Sequence, residues 1–326
     1  MRKAYIIVYQ NDPYNSLFDV LFGDLHKNPD VFFVTEKDYP QQGLYSFLPS
    51  RKLKRLTMGL SDRCYLHYYN LPKLIQKLSH DYDHISVLMH NACLKKPEYP
   101  IEVFDLLKGK ASFNLLYLDT HDHLWVCRHA NYLFENGVFD KVFSIDPKDA
   151  KRYHINLYTT PYSKIETEIC PVPEYQLFFC GSKADRMFSL YRIWKEIRKR
   201  GVTAEFDLIG AKEFEDFFEK DDRVHFVDHL PYMDVINKTL KAECILDIVQ
   251  KDQSALSIRP YEAVVYNKKL LTNNKSILDF KYYDSRYMQY FENVDTIDWE
   301  WVKEDLEVDY GYKGDFSPSR LLDQLA

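Results

Sequence analysis

The sequence predicts an α/β protein made of two Rossmann-like lobes facing across a cleft, with a C-terminal helix that crosses back to the first lobe. Three observations lead there. Apolar runs of strand length alternate with helix-length segments, the rhythm of βαβ units and parallel sheets. The chain has 326 residues, enough for two domains of ordinary size. The alternation breaks between 156 and 173, at Thr159, Thr160 and Pro161 and again at Pro171 and Pro173. That break divides a first lobe, 1–165, from a second, 166–326.

In the first lobe the strand-like runs are Tyr5–Tyr9, Val31–Val34, Ile85–Met89, Asn114–Leu118 and Lys141–Ile145, with helical segments at Leu71–Leu78 and Ile101–Leu107. The run at Tyr5–Tyr9 is short and is followed by Asn11, Asp12 and Pro13, so it reads as a strand and not as a leader. In the second lobe the strands are Gln176–Cys180, Glu205–Ile209, Val224–Val227, Ile245–Val249 and Lys269–Thr272. Helices fall between them near 187–200, 211–219, 232–241 and 259–267. The acidic end, from Asp295 onward, carries Trp299 and Trp301 and supplies the returning helix.

Composition narrows the function classes. With 46% hydrophobic and 28% charged residues the chain supports a large core. Ten glycines are too few for glycine-rich phosphate loops to be the main device. The formal charge of −6 divides into +3 over 1–165 and −9 over 166–326, which does not suit a nucleic-acid binder. The cysteines at 64, 93, 127, 170, 180 and 244 show no ligand spacing and read as reduced thiols of a cytoplasmic protein. No apolar run approaches the ~20 residues of a membrane span.

Parallel sheets bind ligands beyond the carboxyl ends of their strands. In the second lobe those ends carry Gly181, Ser182, Lys183 and Arg186 after one strand and Gln250 to Ser254 after another. The latter loop leads to Arg259-Pro260-Tyr261-Glu262. Pro260 is tolerated only in a first helical turn, so a helix begins beside Arg259. Arg259 and Glu262, three apart, share a face of that turn. A guanidinium at a helix start suits phosphate oxygens, and a carboxylate one turn deeper suits ribose hydroxyls. The same pattern also fits a capped helix start whose arginine pairs with an acid, and Gly181 to Arg186 also fits a plain strand-to-helix turn.

Two runs, "FDKVFSIDPKDAKRYHI" (139–155) and "DIVQKDQSALSIRPYEAVVYNKKLLTNN" (247–274), resemble bacterial capsule and lipopolysaccharide glycosyltransferases of GT-B fold, which carry similar "FDK…FD…DA" and "Q…GL…R…EA…KKL.TNN" runs. The resemblance covers about residues 110–295 and implies a second lobe that binds a nucleotide-diphosphate sugar. It assigns Gln250, Gln253, Arg259 and Glu262 to the donor site and brings Gly181 and Arg186 to the diphosphate. Of the two glutamates that stand eight apart in retaining members, Glu262 matches the second. Ser254 holds the place of the first, and Ala255 that of the usual glycine.

The resemblance also implies metal-independent transfer, with no cofactor besides the donor substrate. An acceptor base is then needed, and Asp119, His121 and Asp122, after the strand Asn114–Leu118, are the first-lobe candidates. The spacing of His121 and His123 also allows a metal, with His129 as third ligand, and the same residues also fit a cap on the next helix. The basic cluster Arg51, Lys52, Lys54 and Arg55 reads as a solvated helix face or as contact with anionic membrane lipid. The expected function is transfer of a hexose from a nucleotide sugar to a saccharide or lipid-linked acceptor of a surface polysaccharide, in the cytoplasm or at the inner face of the membrane. The alternatives are a nucleotide-sugar epimerase, a polyol-phosphate transferase, and a non-catalytic nucleotide-sugar-binding partner, the last motivated by Ser254.

Overall fold

A computed structural model describes residues 2–8, 17–34, 69–94, 99–166, 172–183, 185–219, 221–250 and 254–325. Gln253 and the basic cluster at Arg51, Lys52, Lys54 and Arg55 lie outside these residues. The chain forms two compact units. The first comprises Met1–Asp12, Leu21–Pro161 and Ser317–Ala326, and the second Pro13–Val20 and Tyr162–Phe316. The main division thus falls at Pro161–Tyr162, a few residues before the expected boundary, and the last ten residues return to the first unit.

The first unit holds a six-stranded sheet in the order β2-β1-β3-β4-β5-β6, all neighbours parallel. Its strands are β1 (Lys3–Val8), β2 (Val31–Val34), β3 (His84–His90), β4 (Ser112–Tyr117), β5 (Lys141–Ser144) and β6 (Asn156–Leu157). A parallel sheet is covered on both faces, which is why β3 and β4 are buried along nearly their whole length. Helices Asn70–Leu78, Ile101–Leu107 and Leu124–Glu135 contribute Leu71, Ile75, Val103, Phe104, Ala130 and Leu133 to that core. The C-terminal helix Ser319–Leu325 buries Leu321, Leu322 and Leu325. It is tied to the sheet by Lys141 Nζ donating to the Gln324 carbonyl at 2.6 Å.

The second unit holds the order β12-β11-β10-β7-β8-β9, again all parallel. Its strands are β7 (Tyr175–Ser182), β8 (Ala204–Ile209), β9 (Val224–Val227), β10 (Ala242–Asp247), β11 (Lys269–Thr272) and β12 (Met288–Tyr290). Counted within the unit, this is the doubly wound order in which the strand sequence reverses between the first strand, β7, and the fourth, β10. The helices sit where the periodicity puts them, at Met187–Arg200, Tyr232–Leu240 and Arg259–Val265. The segment expected at 211–219 is a 3-10 helix, Lys212–Phe218. The core gathers Phe179, Leu190, Trp194, Phe206, Phe218, Leu246 and Leu271. No helix among the described residues is long and apolar enough to cross a membrane.

Candidate functional site

The site begins with a mismatch in register. On one side β7 pairs with β8 to its last residue, Ser182 against Ile209. On the other side its pairing with β10 ends at Phe178 against Ile245. Beyond that point the ladder between the two strands stops, at the carboxyl edge where the strand order reverses; this is the β7–β10 crevice. Backbone carbonyls left there need donors, and two arginines supply them. Arg259 Nη2 donates to the Cys180 carbonyl at 2.9 Å, and Arg186 Nη1 donates to the Ile248 carbonyl at 2.7 Å.

The two guanidinium groups differ in how their charge is balanced. Arg259 Nη1 donates to both oxygens of Glu262, at 2.8 and 2.5 Å. The Glu262 carboxylate has no exposed surface and also accepts from the Tyr232 hydroxyl. Burial works against the Arg259 charge, but Glu262 holds its pKa above the ordinary guanidinium value. Burial, and after it the neighbouring carboxylate, pushes the Tyr232 hydroxyl well above its ordinary value.

Arg186 has no such partner. Its bonds go to the Ile248 carbonyl and, at 3.2 Å, to the Ser182 hydroxyl, and no carboxylate among the described residues pairs with it. Its Nε is buried without a hydrogen-bond partner there. Burial lowers its pKa, against the pull of the nearby Asp247 and Asp185 carboxylates. Arg186 also stands at the N-cap of the 14-residue Met187–Arg200 helix, whose start has no side-chain cap, so backbone donors and the positive dipole end lie next to it. Gly181 completes the site by leaving space: a Cβ there would lie 3.3 Å from Arg186 Nη1 and 3.0 Å from Phe179 Cζ.

In the structure the Arg259 fork is occupied by Glu262 and a backbone carbonyl. Glu262 is enclosed as the counter-ion of Arg259. Lys183 is exposed and paired with Glu213 at 2.5 Å. Gln250 is exposed and Ser254 half-buried in the loop after β10.

Asp247, at the end of β10, was not singled out by sequence. It is 3% exposed and accepts from Ser257 and Thr272, both at 2.9 Å. Burial raises its pKa against the pull of those bonds and of Arg259. Ser257 Oγ also accepts from the Arg259 backbone at 3.1 Å. Asn274 Nδ2 donates to the Ala255 carbonyl at 3.0 Å. The loop is thereby fastened at both ends.

In the first unit, Asn91 bridges the ends of β3 and β4: its Oδ1 accepts from Leu118 N at 2.7 Å and its Nδ2 donates to Asp119 at 3.1 Å. His121 is 8% exposed and stacks on Tyr153 with ring centroids 3.9 Å apart. Its backbone is pinned by Asp149 at 2.6 Å and Asn131 at 3.0 Å, and its Nε2 is buried without a partner among the described residues. Asp122 is exposed and bonded to Tyr153 and Arg152, which hold its carboxyl below the ordinary value. Asp119, His121 and Asp122 therefore share the carboxyl edge of the first sheet, and of the three only His121 is enclosed.

One described cluster has the spacing of metal ligands: Glu205, Asp207 and His225, with candidate atoms within 4.8 Å of one another. Its charge is already met by Lys238 Nζ, 2.7 Å from Asp207 and 3.0 Å from Glu205. The described cysteines, 93, 127, 180 and 244, are buried, and burial pushes the Cys180 thiol up to about 11.

No protein-family description matches this chain, and no curated protein does. Solved structures do. A UDP-N-acetylglucosamine 2-epimerase is similar at a TM-score of 0.52 and 12% identity, over 100% of this chain and 96% of its own. A Listeria monocytogenes protein assigned as an enzyme of that name is similar at 0.51 and 10%, over 99% and 95%. A spinosyn rhamnosyltransferase complexed with thymidine diphosphate reaches 0.41 and 11%, over 99% and 91%, too low a score to build on. The likeness to the first two is one of fold, two Rossmann-like units in a GT-B-like architecture.

Proposed function

We propose that the chain is a glycosyltransferase whose donor is a nucleoside-diphosphate sugar. The diphosphate lies in the β7–β10 crevice, against Arg186, the Gly181–Ser182 backbone and the start of the Met187–Arg200 helix. One observation carries this reading: Arg186 is a half-buried cation that makes no ion pair among the described residues, placed where the strand order reverses. A diphosphate there accepts charge-assisted bonds from it. Gln250, Gln253 and Ser254 follow the adjoining strand end and serve the sugar or nucleoside.

In the first unit His121 is the proposed acceptor base, and Asp119 and Asp122 bind or orient the acceptor. Metal-independent chemistry, an acceptor drawn from surface polysaccharide or its lipid-linked precursor, and a cytoplasmic, membrane-peripheral setting through Arg51, Lys52, Lys54 and Arg55 belong to the same proposal. The first two rest on the sequence resemblance, the setting on the cysteine pattern and the basic cluster. Epimerisation of the nucleotide sugar itself is the second reading. It uses the same crevice and takes its motive from the two epimerase structures of like fold.

The test is a thermal-shift panel of UDP-, GDP-, CMP- and dTDP-sugars on the parent and on Arg186→Ala, since a ligand bound to the native state raises its melting temperature. One nucleotide family should stabilise the parent, and the variant should lose about tenfold or more in affinity. Incubation of the active nucleotide sugar without acceptor then separates the readings. A new epimer indicates epimerase, release of nucleoside diphosphate only with added acceptor indicates transferase, and binding without turnover indicates a silent partner. Equal shifts in parent and variant would remove the crevice from consideration.

A further inference from the structure

We infer that Tyr232 is a positioning residue for the diphosphate site, acting through Glu262, Arg259 and the Cys180–Gly181 peptide; this rests on the crevice being that site. Tyr232 is 7% exposed and opens the Tyr232–Leu240 helix. It touches neither Arg186 nor Gly181 in any bond the structure records. What it holds is Glu262 Oε1, the oxygen that also takes Arg259 Nη1 at 2.8 Å. With two donors fixed on one oxygen, the carboxylate has a single orientation. Arg259 is then held in one pose, and its second nitrogen meets the Cys180 carbonyl at 2.9 Å.

The last link is covalent. The Cys180 carbonyl and the Gly181 N–H belong to one planar peptide unit, so fixing one fixes the other. On this stretch β7 has lost its β10 neighbour, and Arg259 takes the place of the missing ladder bond. Gly181 in turn borders Arg186, whose Nη1 lies 3.3 Å from the position its Cβ would take. The relay therefore runs from a helix start 46 to 51 residues away in sequence to the backbone that shapes the anion site. Loss of the Tyr232 hydroxyl leaves the Glu262 carboxylate held by Arg259 Nη1 alone, and the donor at the strand end loses one of its two supports.

Calorimetric titration with inorganic pyrophosphate tests this on the full chain, with Tyr232→Phe, Arg259→Lys, Arg186→Ala and the double variant Tyr232→Phe/Arg186→Ala. Lysine keeps the charge at 259 but lacks the fork that reaches two acceptors. Tyr232→Phe and Arg259→Lys should each weaken binding about tenfold, and the double variant should bind no more weakly than Arg186→Ala alone, as expected for residues acting in series. A purely structural tyrosine would lower the melting temperature and leave affinity in the folded fraction unchanged. That result, or losses that multiply in the double variant, overturns the inference. If Tyr232→Phe does not fold, parental affinity in Arg259→Lys overturns it alone. A parent that binds neither pyrophosphate nor any nucleotide overturns the diphosphate assignment itself, which is a separate outcome.

Discussion

Replacing Glu262 by alanine should damage stability far more than any change at Arg186. The deletion strands a guanidinium whose side chain is only 12% exposed, with one carbonyl left to receive it. Breaking a buried ion pair by removing one member costs about 3–5 kcal/mol. The Tyr232 hydroxyl loses its acceptor at the same time, which alone would cost about 1–3 kcal/mol. Both losses pass through the same carboxylate, so they do not add, and the expected total is about 4 kcal/mol. With a urea dependence of about 2 kcal/mol per molar, the midpoint should fall by roughly 2 M.

The assay is urea unfolding followed by tryptophan fluorescence. Three of the four tryptophans, 194, 299 and 301, belong to the second unit, so the signal reports the unit that carries the change. Two units need not unfold together, and this probe does not require them to. The companion Arg259→Ala/Glu262→Ala removes both charges and should cost less than Glu262→Ala alone, because no charge remains stranded. Arg186→Ala should change stability by less than about 1 kcal/mol, since it relieves the desolvation of a half-buried charge while losing two bonds. A loss under about 1 kcal/mol for Glu262→Ala, or a double variant equal to the sum of its parts, would refute the ion-pair account.

Gly181→Ala should cost about 1–3 kcal/mol and also weaken pyrophosphate binding, because the new methyl meets Phe179, itself locked in the core, and Arg186; parental affinity by calorimetry would contradict the placement of the anion. Asp221, which accepts from Arg223 and from Trp194 Nε1 at 3.2 Å, has its pKa lowered to about 2, first by the Arg223 bonds. A depressed carboxylate pKa stabilises the fold fully above its unfolded value of about 3.9 and loses that effect as pH falls through the folded value. Asp221→Asn should thus cost about 2 kcal/mol at pH 7 and roughly half that at pH 3, read from urea midpoints; a gap that does not narrow on acidification would count against it.

Much of this was readable from sequence, and the limit can be located residue by residue. The alternation of apolar runs gave ten of the twelve described strands, and Pro260 placed the helix start at Arg259, where it lies. The strands β6 and β12, of two and three residues, are too short to carry a period. At the site, sequence spacing put Arg259 and Glu262 on one face, which is correct, but it could not tell whether that face meets a ligand or closes on itself. That depends on Tyr232, thirty residues from Glu262 in the chain, and on the register at which β7 and β10 part. Asp247 escaped notice because a carboxylate at the end of an apolar strand looks the same whether solvated or capped by Ser257 and Thr272.

The two arginines explain each other. Side by side in one crevice they repel, and each lowers the other's tendency to hold a proton in a partly desolvated space. A fold that needed only to satisfy the carbonyls of Cys180 and Ile248 could use neutral donors without that penalty. Instead it neutralises one guanidinium completely, with a carboxylate buried to the last atom and a tyrosine to hold it, and leaves the other without an ion pair beside a glycine and an uncapped helix start. The neutralised arginine fastens the strand end. In the proposed site that frame presents the second arginine, so little ordering has to accompany anion binding. On this argument stability and anion recognition are carried by different arginines, and variants at 259 and 186 should separate them.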